Sequence, residues 1–238
     1  MKVVLNLDVG FCFYEKSVET VKRCIESLKD NVRYIYAVDG KFEFFDSPDM
    51  LSSKEVRDYL NTIPNVIMLD APNLKENEKR QLYLDSCAPT DYLLIMDADC
   101  YVVPPTDWDK FNEILKGLGK GEKPKIYCIG VQTSKKTSYF PLLWYKPHLL
   151  EYTKTHNFFR DTTDGTIYKS TNNGTRADHF FLKTDDRLRD EDYLIKSRAY
   201  QKELMNYEKP FKEQYRKVAK NVSQPKDYSS MLGNIPVM

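Results

Sequence analysis

The chain has 238 residues, of which 41% are hydrophobic and 30% charged, and a formal net charge of +1. That length can bury a real core within one large domain. The near-neutral charge gives no field to recruit nucleic acid, and no run approaches the roughly 18 apolar residues of a membrane-spanning helix.

Cys12, Cys24, Cys87, Cys100 and Cys128 are odd in number and never spaced as C-x-x-C. This argues against a disulfide framework and against a zinc-thiolate site. It points to a reducing, cytoplasmic location, free or peripheral at a membrane. The N-x-[ST] triplets at Asn173 and Asn221 then read as chance occurrences.

In chain order, Val3–Leu7 is the first expected strand, and it is too short and too soon interrupted to be a signal peptide. Ser17–Lys29 carries Val18, Val21, Cys24, Ile25 and Leu28 at helical spacing. A strand follows over Tyr34–Val38, ending in Asp39-Gly40, and then a loop rich in Phe, Asp, Ser and Pro. Helix 53–61, strand 65–69, helix 75–87 and strand 92–96 complete the first half. This alternation calls for parallel strands with right-handed crossovers, and so for an α/β fold with a mostly parallel central sheet flanked by helices. Such sheets bind ligands at the carboxyl ends of their strands.

The second half begins with an expected helix over Trp108–Leu118 and strands around Ile126–Val131, Tyr139–Trp144 and Phe158–Lys169, the last with an Asp164-Gly165 turn. A helix is expected from Glu191 to about Tyr207, and a further one after Pro210 leads into a polar tail. Residues 1–238 read as one domain, a nucleotide-binding half over 1–103 grading into an acceptor half over 104–238.

The strongest chemical signal is Asp97-Ala98-Asp99, directly after the apolar run Tyr92–Met96. Two carboxylates just past a buried strand are costly unless their charge is compensated. A hard divalent cation, Mn²⁺ or Mg²⁺, would do so and keep positions open for diphosphate oxygens. The bland alternative is a pair of solvated loop aspartates.

The stretch Asn77-Glu78-Lys79-Arg80-Gln81 through Asp97-Ala98-Asp99 resembles the core of family 2-like glycosyltransferases with the GT-A fold. Val38-Asp39-Gly40 resembles the second-strand acid of that family, and Cys24-Ile25-Glu26-Ser27-Leu28 the end of its first helix. The resemblance covers roughly residues 1–103. It implies a nucleotide-diphosphate sugar as donor and a carbohydrate or glycolipid as acceptor. It further implies that Asp39, with Gly40, meets the donor's nucleobase, and that Arg80 and Lys79 face its ribose and phosphates. Asp97 would contact the ribose or the metal, and Asp99 would ligate the metal. His179, after Asp178 and before Phe180-Phe181-Leu182, is the third metal ligand that the resemblance suggests. Asp192, with Glu191, is the general base it suggests for taking the acceptor's proton. Each has a plainer reading: an exposed helical face for Lys79-Arg80, a turn for Asp39-Gly40, a structural histidine, and helix-start acids for Glu191 and Asp192.

Rival activities fit less well. A haloacid dehalogenase-type phosphatase wants its D-x-D at the first strand, with a Thr or Val two residues past the second Asp; here the motif comes fourth and Cys100-Tyr101 follows. Val9-Gly10-Phe11-Cys12 supplies neither the Gly-rich loop of a nucleotidyltransferase nor G-x-G-x-x-G. A nucleotide-sugar-binding protein of the same fold without transferase activity stays open.

Overall fold

A computed structural model describes residues 5–87, 92–119, 121–132, 136–153, 158–169, 175–184 and 191–206; side chains at 169, 191–194, 197, 201, 204 and 206 are outside that description. The fold is α/β, as expected. The first four strands are β1 (Leu7–Phe13), β2 (Ile35–Asp39), β3 (Val66–Asp70) and β4 (Tyr92–Asp97), with helices α1 (Val18–Glu26), α2 (Lys54–Asn61) and α3 (Glu76–Ser86) between them. After β5 (Cys100–Val102) come α4 (Trp108–Leu118), β6 (Lys125–Gln132), β7 (Thr137–Tyr145), β8 (Leu150–Tyr152), β9 (Phe158–Asp161), β10 (Ile167–Lys169), β11 (Arg176–Thr184) and α5 (Glu191–Asn206).

The main sheet has the order β3-β2-β1-β4-β7-β6-β11-β5. Its first four strands are parallel, while β7 runs antiparallel to both β4 and β6, and β5 antiparallel to β11. The whole is therefore mixed, with the expected parallel character confined to the first four strands and to the β6–β11 pair. A second, antiparallel sheet of β8, β9 and β10 was not expected. The apolar stretch over Phe158–Lys169 divides into β9 and β10 around Asp164-Gly165, where Gly165 takes a positive φ of 76°.

β1 is buried along its whole length. Alternate residues feed two cores, as a strand covered on both faces must. Val9, Phe11 and Phe13 pack with Val21 and Ile25 of α1, Leu60 of α2 and Phe111 of α4. Cys12 joins Leu82 and Tyr83 of α3 and Trp144, Tyr152 and Phe159 on the other face. A Cβ at Gly10 would stand 2.6 Å from the Tyr83 ring, so this glycine lets α3 lie close on the sheet.

The first strand lies later than expected. Asp8 does not end it but sits fully buried inside it, its two oxygens accepting from Arg33 Nε at 3.0 Å and Nη2 at 3.2 Å. A paired charge can occupy a strand interior where an unpaired one could not. Of the expected strand Val3–Leu7, Leu5 makes an isolated bridge to Val32, Leu7 opens β1, and residues 3 and 4 are outside the described ones. The other first-half elements fall within three residues of expectation, helped by local signals such as the Ser17 hydroxyl accepting from Thr20 N–H at the start of α1.

From β1 the chain moves outward to β2 and β3, then returns by α3 to β4 on the other side of β1. The crevice beyond the carboxyl ends of β1 and β4 is thus the topological switch point, the place where open α/β sheets bind ligands. Among the described residues no helix is long and apolar enough to cross a membrane.

Candidate metal centre

β4 is buried from Tyr92 to Met96 and delivers Asp97 to the sheet edge, in register with Cys12 of β1. Ala98 turns inward, and Asp99 follows with only 6% of its surface exposed. The chain re-enters a strand at Cys100, fixed by Val102 N–H donating to the Ser27 hydroxyl at 3.0 Å. Ser27 itself belongs to α1's C-terminal stretch, so that segment pins the backbone just after the acidic pair.

Asp97, Asp99 and Cys100 each offer a ligand atom, and these atoms lie within 4.8 Å of one another. Among the described residues, Asp99 Oδ1 is buried without a hydrogen-bond partner. An orphaned carboxylate oxygen is expensive, and a divalent cation is the kind of group that would relieve it. Cys100 is a poor third ligand: burial and the charges of Asp97 and Asp99 push its thiol up to about 12, and the thiolate is the ligating form. The donor set is therefore two carboxylates, which suits a hard ion that completes its shell with phosphate oxygens and water.

Two cations flank the pair. Arg80, on α3, donates from Nε to Glu76 Oε1 at 3.0 Å and from Nη2 to Asp97 Oδ1 at 3.1 Å, and Nη1 reaches the Tyr83 hydroxyl at 3.4 Å. Burial works against its charge, but Tyr83, Glu76 and Asp97 more than offset this, and its pKa stands well above the ordinary value. Lys16, in the loop after β1, places Nζ 3.5 Å from Asp99 Oδ2. The switch point thus holds two acids from the β4 side, one cation from α3 and one from the β1 loop.

The other expected residues are elsewhere employed. Asp39 is fully buried: its oxygens accept from the Ser52 hydroxyl at 2.7 Å, from Ser52 N–H, and from Arg57 Nη1 at 2.6 Å. Arg57 also clamps Asp70 at the end of β3, at 2.8 and 3.1 Å. Asp39's carboxylate thus holds the returning loop and α2. Gly40 has a structural reason for its identity, since a Cβ there would stand 2.4 Å from the Ala71 carbonyl oxygen.

Lys79 likewise has protein partners of its own. It is fully buried, donates to the Gly40 carbonyl at 2.7 Å and to that of Lys41, and lies 4.1 Å from the centre of the Phe42 ring. Burial brings its ammonium down to about 8.

His179 is not brought to the acids. Among the described residues it is not part of the group formed by Asp97, Asp99 and Cys100. β11 pairs antiparallel with β5 through Thr184 and Cys100, which sets His179 five residues back along β11, beyond the residues paired with β5. There its backbone, at a φ of 62°, accepts from Asp107 N–H beside α4, and its exposed side chain lines a surface depression with Asp109 and Glu113. Glu191 and Asp192 open α5, but their side chains lie outside the described ones.

Lys16, Arg57, Ser52 and Glu76 were missed in the sequence. The signal for Lys16 was its place immediately before the helix-starting Ser17, and it went unread because β1 was expected to end at Leu7. Tyr200 on α5 was also missed: its hydroxyl accepts from Glu76 N–H at 3.0 Å and its ring lies 5.2 Å from Phe44, so α5 is docked at this same edge.

No protein-family model matches the chain, and no curated protein does. Among solved structures it is similar to the crystal structure of GalNAc-T7 with UDP, GalNAc and Mn2+, at 17% identity and a TM-score of 0.36, over 48% of this chain and 21% of that one. It is also similar to mannosyltransferase PcManGT from Pyrobaculum calidifontis in complex with GDP-Man and Mn2+, at 14% identity and a TM-score of 0.36, over 56% of this chain and 36% of that one. The match thus spans well under half of either structure's length. At such scores the chemistry stands on this chain's own residues.

Proposed function

We propose that this chain is a metal-dependent glycosyltransferase that moves a sugar from a nucleotide-diphosphate sugar to an acceptor hydroxyl. One observation carries the reading: a buried aspartate with an orphaned oxygen, Asp99, beside the more exposed Asp97 at the switch point of an α/β sheet. A diphosphate ligand needs positive charge and a strand-end crevice, and both are at hand here.

Asp97 and Asp99 would hold Mn²⁺ or Mg²⁺, which when bound supplies charge neutralisation for a departing diphosphate. Arg80 fixes the orientation of Asp97 and adds a guanidinium that stays charged at any physiological pH. The acceptor hydroxyl must lose its proton as its oxygen attacks the anomeric carbon, and Asp192, with Glu191, is the proposed recipient. Support for that placement is indirect: β11 ends at Thr184 in register with Cys100, and the following helix α5 is tied by Tyr200 to the first residue of α3.

The test is a screen of uridine and guanosine diphosphate sugars with the full chain, with and without Mn²⁺, reading release of the nucleoside diphosphate. Metal-dependent turnover that Asp99→Asn abolishes supports the reading. Binding of a nucleotide sugar with neither transfer nor hydrolysis would leave a binding protein in its place.

A further inference from the structure

We propose that Lys16 is the resident counter-ion of the acidic pair: its ammonium holds Asp99 in the metal-free protein, and a divalent ion binds by displacing it. The inference rests on the metal reading of Asp97 and Asp99 given above.

The two cations at the site are built differently. Arg80 is forked among Glu76, Tyr83 and Asp97 and nearly buried, so it cannot leave. Lys16 touches Asp99 by a single contact at 3.5 Å, and a quarter of its side chain is exposed. Glu15, just before it, takes a left-handed φ of 49°, and Ser17, just after it, caps α1. The backbone of Lys16 is thus fixed between a turn and a helix start, while its four-carbon stem can swing.

An ammonium at one point also leaves the job unfinished. It meets Asp99 Oδ2, while Oδ1 remains buried and unpartnered. A divalent ion concentrates more charge at the same carboxylate and can draw on Asp97 as well. The charges then add up in a telling way. Three carboxylates, Asp97, Asp99 and Glu76, share Lys16 and Arg80 and sum with them to about −1, so a divalent ion entering alone leaves an uncompensated charge of about +1. A diphosphate supplies the balancing negative charge. Lys16 therefore opposes metal binding by itself and couples it to an anionic ligand, towards which its freed ammonium can turn.

The experiment titrates Mn²⁺ alone into the full-length protein and reads free Mn²⁺ by electron paramagnetic resonance. Lys16→Met should bind Mn²⁺ about two- to fivefold more tightly than the parent, the worth of one partly exposed ion pair. Asp99→Asn should bind it much more weakly. Equal affinity in the parent and Lys16→Met overturns the inference while leaving the metal site standing. Equal affinity in the parent and Asp99→Asn removes the metal site itself. A second readout needs no variant: acylation of Lys16 by an amine-reactive ester, followed by peptide mass spectrometry, should speed up several-fold when Mn²⁺ is added. An unchanged rate means that the ammonium is not displaced, and it overturns the inference.

Discussion

Arg80 and Asp97 stand 17 residues apart in sequence and 3.1 Å apart in space, a guanidinium from α3 closing on the carboxylate that ends β4. The same guanidinium also holds Glu76, which is nearly buried, so its removal takes a cation from two acids at once. Arg80→Ala should cost about 3 kcal/mol of stability, as expected when one partner of a buried ion pair is lost. Arg80→Lys keeps the charge but not the fork, and should fall between the two. Urea denaturation monitored by far-ultraviolet circular dichroism measures both. A loss below about 0.5 kcal/mol for Arg80→Ala would mean that the network is ornamental.

Asp99 should behave in the opposite way. A buried carboxylate with one orphaned oxygen is a cost to the fold. Asp99→Asn removes the charge with little change of shape, so its melting temperature should equal or slightly exceed the parent's. The same substitution should erase any rise in melting temperature on adding Mn²⁺, since only a ligand that binds the native state can raise it. Thermal denaturation with and without the metal reads both effects. A variant that is less stable in the absence of metal would mark Asp99 as structural.

The contrast between these residues shows where sequence reading reached and where it stopped. The helices α1, α2, α3 and α4 were legible because periodicity and capping residues such as Ser17 and Asp107 are local signals. Asp97 and Asp99 were legible because an apolar strand points straight at them. The partners of Asp39 and Lys79 were not. Ser52 lies 13 residues beyond Asp39, and it reaches that carboxylate only because the loop folds back over the sheet edge. No spacing in the sequence encodes that return. The small sheet of β8, β9 and β10 was hidden for a related reason: strands of three or four residues carry too little pattern, and their pairing is decided by contact with Trp144 and α3.

The loop's anchor suggests a further test. Arg57 is the cation facing buried Asp39, and it bridges to Asp70 on the neighbouring strand. Arg57→Met should destabilise the protein by about 2–4 kcal/mol by taking from buried Asp39 the guanidinium bonded to it. Adding Asp39→Asn in the same chain should recover part of that loss, because the two sites share one interaction. Strict additivity of the two single substitutions in a double-mutant cycle would show that the pair is not coupled.

Lys79 gives a prediction in pH. Burial lowers its pKa from 10.5 to about 8, so the folded protein resists the charged form. Below pH 8 both folded and unfolded chains carry the proton, and the cost of the buried charge is felt in full. Between pH 8 and 10.5 the folded chain has released the proton while the unfolded chain still holds it, so stability from this group rises with pH. Above 10.5 neither state holds the proton and the rise ends. The span corresponds to a gain on the order of 3 kcal/mol. Lys79→Met lacks the titrating group, so the parent's stability should climb relative to that variant's across this window. At neutral pH the variant forfeits the amine's hydrogen bonds to the Gly40 and Lys41 carbonyls and its contact with the Phe42 ring. Paired urea denaturation at pH 7, 8, 9 and 10 measures the difference. Parallel curves for the two proteins would mean that Lys79 keeps its ordinary pKa and stays charged in the folded protein throughout this range.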